Sequence, residues 1–266
     1  MDTKFWGPSG WRLLHLVAAG PHAASNRTFW ELLPFVLPCK FCRASLTEYY
    51  EMHPIPSATA DFAPWLYTIH NCVNKKLRDQ GQAVPPDPPK KEVLQHYEEL
   101  IQQGCTKTYF PGWDFLFCTA DNHPDASPSA PMPDTPEQRP TTLKERNRWN
   151  LLTPKERKTA LRRFWTALPD VLPFEEWRQS WRKHAGPTKQ AVESRSRALK
   201  WLWRIRCGME ADLQQLSNID FHGLCKQIKT HRSGCSTSKR AKTCRALRVD
   251  SRGGRRTSKT RRLKQR

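Results

Sequence analysis

No apolar stretch in this 266-residue sequence approaches the roughly 18 residues of a membrane-spanning helix. The short run at residues 13–19 is interrupted by His15, and Asp2 and Lys4 cancel before it, so it makes a poor signal peptide. Glycine is scarce, 12 against 22 prolines, which points to punctuated elements joined by linkers. Acid is in the minority, with 25 Asp+Glu facing 45 Lys+Arg for a formal net charge of +20. The hydrophobic share of 37% is low for one compact globule. What the chain does have is eleven tryptophans and eleven phenylalanines, enough to exclude wholesale disorder. Length alone allows one or two domains.

The charge is uneven. Residues 232–266 contain fourteen Lys/Arg and one acid, Asp250. From about Val249 the chain holds Gly, Ser, Thr and Arg with almost no apolar anchors, and residues 245–266 read as a disordered basic arm. Such an arm suits nucleic acid or another anionic surface. The plain alternative is a solubilising or nuclear-address tail.

The first hundred residues show helical spacing broken by proline and no alternating strand pattern. Trp11, Leu14, His15 and Ala18 share one face; Phe29, Leu32, Leu33 and Val36 form a second helix closing at Pro38. Further helices are predicted over 39–52, 61–77 and 91–103, the last after a proline-rich loop at 84–89. This is an all-α pattern, a four-helix bundle plus a short fifth helix. Residues 119–142, rich in Pro, Asp, Ser and Ala, read as a linker. Helical patterning resumes at 143–150, 154–168, 174–183, 190–206 and about 209–230. The expected organisation is a first helical unit at 1–110, the start of a second unit at 111–118, the linker, a helical C-terminal unit at 143–244 and the basic tail.

The second unit echoes the first. Residues 29–38, FWELLPFVLP, return at 164–173 as FWTALPDVLP, with seven of ten identical. Trp65-Leu66-Tyr67-Thr68-Ile69 returns as Trp201-Leu202-Trp203-Arg204-Ile205, and Gly10-Trp11 has a fainter echo in Gly112-Trp113. Order and spacing agree, so the C-terminal unit reads as a degenerate duplicate. In this register Cys39 and Cys42 become Phe174 and Trp177, His15 becomes Phe117, and His70 and Asn71 become Arg206 and Cys207. The chemistry therefore belongs to the first copy.

Of nine cysteines only Cys39 and Cys42 form a Cys-x-x-Cys pair. Pro38 presets a helical turn there, and free amides at a helix start, with Lys40 and Arg43, favour a thiolate. Such a pair serves as half a zinc site, as a thioredoxin-like redox pair, or as a redox pair beside a bound cofactor. The first needs further ligands and the second a strand–helix context that is missing. On the predicted 61–77 helix, His70, Asn71 and Asn74 gather an imidazole and two amides, followed by Lys75 and Lys76 with charge suited to phosphate.

These motifs, Trp11-x-x-Leu14-His15, Pro38-Cys39-x-x-Cys42, and Trp65-Leu66 followed by His70-Asn71-x-Val73-Asn74-x-Lys76-Leu77, resemble the Erv/ALR family of FAD-linked sulfhydryl oxidases in its large-DNA-virus form. The likeness covers about residues 5–105. The second unit resembles an extra C-terminal domain of some giant-virus members, through Gly112-Trp113-Asp114-Phe115, the 164–173 run and Thr243-Cys244-Arg245. The resemblance implies a helical bundle gripping FAD. Cys42 would lie against the flavin and Cys39 would face the incoming thiol, with Trp11, His15, His70, Asn71, Asn74 and Lys76 lining the pocket. It implies the reaction of two thiols with dioxygen to give a disulfide and hydrogen peroxide, acting on viral proteins in the host cytoplasm, at a viral factory or in the virion, without secretion. It also implies a homodimer, to which the duplication adds an intrachain pseudo-dimer.

The sequence departs from the family at several points. Gly20-Pro21 replaces a Tyr-Pro, and Tyr67 stands where a structural cysteine is usual. Cys72 sits inside the His-Asn motif, and there is no second Cys-x-x-Cys to relay electrons. Cys105 with Cys118, or two of Cys225, Cys235 and Cys244, are candidates for that relay. The last three with His222 or His231 could instead form a zinc cluster. The rival reading is a basic nucleic-acid-binding or packaging protein with an incidental cysteine pair.

Overall fold

The computed structural model describes residues 2–105, 109–136, 139–215 and 219–232. Among them the chain forms helices and no strands. The first copy comprises α1 (Thr3–Ala19), α2 (Arg27–Val36), α3 (Lys40–Met52), α4 (Phe62–Asp79) and α5 (Lys90–Gln102). The second comprises α6 (Trp113–Asp121), then, after α7 (Leu143–Arg148), α8 (Pro154–Val171), α9 (Glu175–Ala185), α10 (Gln190–Glu193), α11 (Arg195–Asp212) and α12 (Phe221–His231).

Helix boundaries follow local chemistry. Asp2 caps α1 by accepting from the Lys4 N–H at 3.0 Å. Reciprocal Thr–Glu pairs, Thr142–Glu145 and Thr153–Glu156, start α7 and α8, and Pro154 occupies the first position of α8, where its missing N–H costs nothing. The helix expected over 190–206 is broken at Ser194, whose extended backbone ends α10 and caps α11 through the Arg197 N–H. The helix expected at 209–230 is likewise two: α11 runs on to Asp212, and α12 starts after its Asp220 cap.

The duplication is visible as repeated contacts. Arg43 Nη1 donates to the Leu37 carbonyl at 3.0 Å, and Arg178 Nη1 to the Leu172 carbonyl at 2.7 Å. Trp65 Nε1 reaches the His53 carbonyl just past α3, and Trp201 Nε1 the Ala185 carbonyl at the end of α9. Trp30 meets Trp65 edge-on with ring centroids 5.5 Å apart, and Trp165 meets Trp201 at the same separation.

The copies pack on each other through matching helices, α2 on α8 and α1 on α6. Phe29 stacks on its counterpart Phe164 at 5.4 Å, both wholly buried. Gly10 and Gly112 exchange roles: a Cβ on Gly10 would stand 3.2 Å from Phe115, and one on Gly112 would stand 2.5 Å from Leu13. No larger residue fits at Gly112 without moving a buried leucine. Aromatic and aliphatic burial across this seam supplies the main driving force for keeping the copies together.

Two segments lie differently from their sequence expectation. Residues 119–121 belong to α6 and not to a linker, because Thr119, Ala120 and Asp121 are buried. Helix α7, expected with the C-terminal unit, packs on α3 of the first copy. There Asn147 Nδ2 donates to the Pro34 carbonyl and the Thr47 hydroxyl, and Arg148 pairs with Glu51 at 2.6 Å. The connection between the copies thus wraps back over the cysteine-bearing helix. The basic tail, with Cys235 and Cys244, lies outside the described residues.

Candidate active site

Helix α3 carries the cysteine pair at its first turn. Cys39 is the N-cap, with extended backbone, and its carbonyl accepts from the Arg43 N–H at 2.9 Å. Cys42 therefore sits among the first amides of the helix, where partial positive charge favours an anion. Cys42 is partly exposed, whereas Cys39 is only 1% exposed. The resemblance had Cys39 facing an incoming thiol; here it is the more enclosed sulfur. Close by, Asn150 accepts from Arg43 Nη2 at 2.7 Å, so the inter-copy connection reaches this end of α3.

The predicted ring-binding residues assemble between α1, α4 and α5. Trp11 stacks on His70, centroids 3.9 Å apart and planes within 12°. His15 Nε2 and His70 Nδ1 lie 3.0 Å apart, so one imidazole N–H donates to the other. Tyr97 of α5 stacks on His15 at 4.8 Å. Burial lowers His15 to about 3, with His70 adding to the effect. Burial also lowers His70 to about 4 against a smaller opposing pull from Asp87. Both imidazoles are therefore neutral at ordinary pH, and the cluster presents flat, uncharged aromatic faces.

The remaining predicted residues divide. Asn71 is half-buried on α4 next to His70. Asn74 is committed to structure: its amide donates to Asp87 Oδ1 at 2.7 Å, and Arg78 closes on the same carboxylate at 2.6 Å. That pairing, led by the Arg78 hydrogen bond, holds Asp87 below the usual carboxylate range and bolts the proline-rich loop to α4. Lys76 turns toward α3, where its ammonium donates to Ser45, one turn beyond Cys42. Tyr49, two turns beyond Cys42, is raised to about 12 by burial and by the neighbouring Cys72, Glu48 and Cys42. Burial also pushes the Cys72 thiol up.

Tyr97, Asp87, Ser45 and Tyr49 escaped the sequence reading. Tyr97 shares a helical face with Val93, Leu100 and Ile101, a signal of burial but not of a site. Asp87 is one acid among prolines. Among the described residues no group of three or more His, Cys, Asp or Glu is placed to hold a metal. Cys118 is buried on α6, which pushes its thiol well up, and Cys207 is exposed on α11.

The same location in the second copy is filled. Arg206, the counterpart of His70, lies over the Trp113 ring at 5.8 Å and pairs with Glu210 at 2.6 Å. Trp177 and Trp181 occupy the positions of Cys42 and Leu46, and pack on Phe110 and Trp113 respectively. The Ser45–Lys76 contact becomes Ser180–Asp212 at 2.8 Å, with the charge reversed. The donor set of the first copy, neutral rings, an amide and a lysine, suits a planar, phosphate-bearing group, whereas rings and an acid stand at the matching positions of the second.

A helical bundle with a cysteine pair at the start of α3, and a neutral imidazole–indole cluster between α1, α5 and the α4 helix on which α3 packs, defines a class of cofactor-assisted redox proteins. Comparison narrows the class. The Erv1/Alr family model matches residues 8–93. A FAD-linked sulfhydryl oxidase of African swine fever virus (isolate Pig/Kenya/KEN-50/1950) is 35% identical over 113 residues, covering 39% of this chain and 85% of that protein. A probable FAD-linked sulfhydryl oxidase of Acanthamoeba polyphaga mimivirus is 31% identical over 99 residues, covering 32% and 69%. The mitochondrial FAD-linked sulfhydryl oxidase of Saccharomyces cerevisiae is 32% identical over 85 residues, covering 29% and 45%. No solved structure matches the chain. The chain belongs to the Erv1/Alr family.

Proposed function

We infer that the protein is a FAD-dependent thiol oxidase that joins two thiols into a disulfide and reduces dioxygen to hydrogen peroxide. One observation carries the reading beyond family membership. Two copies of one helical scaffold lie in one chain, and the dithiol, the neutral ring cluster and the lysine occur together in the first copy alone. FAD, when bound, supplies the two-electron acceptor that passes electrons to dioxygen. Its rings would be held by Trp11, His15 and His70, with Asn71 as an amide partner and Lys76 as the cation. Asn74 would act through the Asp87 loop. Trp11 and Tyr97 cover the imidazoles and exclude water from them.

Cys39 and Cys42 are the redox pair. A substrate thiolate attacks one sulfur of their disulfide, the other leaves as a thiolate, and a second substrate thiol releases the product disulfide. We assign Cys42 to the flavin side because it lies one turn from Ser45, the residue that Lys76 contacts, and is the more exposed of the two sulfurs. Cys39 receives the substrate, and because it is only 1% exposed a protein substrate reaches it only when its surroundings open. Viral proteins in the host cytoplasm are the proposed substrates. The second copy is proposed as a built-in partner, a pseudo-dimer within one chain, and the basic tail as a nucleic-acid contact. The rival reading of an incidental cysteine pair is not supported, since the relatives are named as oxidases across their matched length.

Purified protein should be yellow and consume oxygen with dithiothreitol. Cys42→Ala should keep the flavin and lose turnover. A correctly folded, colourless protein that cannot take up added FAD overturns the assignment.

A further inference from the structure

The turn that carries the cysteine pair is held from outside the first copy. Arg43, only 2% exposed, folds back from α3, and its Nη1 donates to the Leu37 carbonyl at 3.0 Å, two residues before Cys39. Asn122, which ends α6, donates to the same carbonyl at 3.3 Å. Asn150, in the connection between α7 and α8, accepts from Arg43 Nη2 at 2.7 Å. The guanidinium therefore bridges the α2–α3 turn and a residue 107 positions further along the chain.

The backbone around Asn150 is fixed for this contact. Its φ is 59°, a left-handed conformation that asparagine tolerates better than most residues. The Asn150 N–H donates to the Asn147 carbonyl at 3.1 Å, and the Asn150 carbonyl accepts from the Ala130 N–H at 2.8 Å. The second copy repeats the arginine with a different partner. Arg178 donates to the Leu172 carbonyl as Arg43 does to Leu37, but its Nε donates to the Glu175 carboxylate at 2.9 Å. The position of Glu175 is Lys40 in the first copy, and the sulfur positions are Phe174 and Trp177 in the second. A further cation approaches the turn from the second copy. Arg157 is buried and donates to the Asn122 carbonyl at 3.0 Å. Burial, with the charge of Arg43 adding to it, lowers Arg157 to about 10.

We propose that Asn150 is a positioning residue for the redox pair: it holds the Arg43 guanidinium against the turn before Cys39 through a neutral acceptor, so that its charge favours the thiolate form. The guanidinium touches Leu37, and two residues of chain span at most roughly 7 Å, so its field reaches Cys39 through buried protein, where screening is weak. A cation near a dithiol stabilises the reduced form and makes the disulfide a stronger oxidant. The connection to the second copy thus sets the oxidising strength of the first. The inference rests on Cys39 and Cys42 being the redox pair, and its test reads neither flavin nor oxygen.

The full chain is equilibrated anaerobically with reduced and oxidised glutathione, and Cys39 and Cys42 are followed by differential alkylation and mass spectrometry. Asn150→Asp keeps the shape and sets a carboxylate on Arg43. It should move the equilibrium about tenfold toward the disulfide, about 30 mV more reducing. Asn150→Gly takes the same φ and removes the acceptor. It should move the equilibrium the same way by a smaller factor, and it carries the test by the same criterion if Asn150→Asp does not fold. Arg148→Gln also removes a cation from α7 and breaks its pairing with Glu51 on α3, without touching Arg43, and should leave the equilibrium unchanged. Circular dichroism and melting check the fold. An Asn150→Asp equilibrium that stays put or moves toward the dithiol overturns the proposal, as does an equal shift in Arg148→Gln. A colourless native chain that still shows the shift defeats the oxidase reading and supports this one. A yellow, oxygen-consuming chain without the shift defeats this one alone.

Discussion

The first and second copies share a backbone plan and differ in what fills one location. In the first, Cys42 on α3, the His15–His70 pair between α1 and α4, and Lys76 on α4 supply small or uncharged groups and one lysine. In the second, Trp177, Phe117, Arg206 and Asp212 close it with rings and an ion pair. The contacts that build the fold, Trp65 with His53 and Trp201 with Ala185, survive in both. The scaffold and the chemistry are thus separable: one copy kept both, and the other kept the scaffold alone.

Transplanting residues between the copies is the most direct way to break this comparison. Replacing His15 by its counterpart, His15→Phe, should abolish flavin binding, with absorbance of the purified protein as the readout. The fold should persist, because Phe117 fills the same place in the second copy. A fully yellow variant would remove the imidazole pair from the site. The seam should respond next. Phe164→Ala deletes a wholly buried ring facing Phe29 and should cost about 3–5 kcal/mol in chemical denaturation. Gly112→Ala pushes on Leu13 and should cost about 1–3 kcal/mol by the same measurement.

Acid sharpens the comparison more gently. His15 and His70 fall to about 3 and about 4 on folding, so the unfolded chain binds more protons between these values and about 6.5. Stability therefore drops as pH falls through that window, by up to about 1.4 kcal/mol per pH unit for each imidazole. Melting temperatures across the window should show a shallower slope in His15→Phe than in the native chain. Equal slopes would mean that other groups govern acid sensitivity.

Much of this was legible beforehand, for identifiable reasons. The 29–38 and 164–173 runs betrayed the duplication because the same buried residues solve the same packing problem. Cys39, Cys42, His15 and His70 stood out because their types are rare on amphipathic faces. Spacing within one copy does not say which face meets the other, so the Phe29–Phe164 and Gly112–Leu13 contacts stayed hidden. Asn74 looked like a pocket residue, and only the loop carrying Asp87 showed what occupies its amide. The break at Ser194 was missed because the apolar period continues across it, and only the backbone angles reveal the interruption. Tyr97 resembled any residue on a half-buried helix.

The α2–α8 seam has a consequence for behaviour on dilution. An assembly of separate chains falls apart as its concentration drops, but here both partners are joined by one polypeptide and meet at a local concentration set by the connecting segment. The specific rate per molecule should hold constant at dilutions that would dissociate a two-chain assembly.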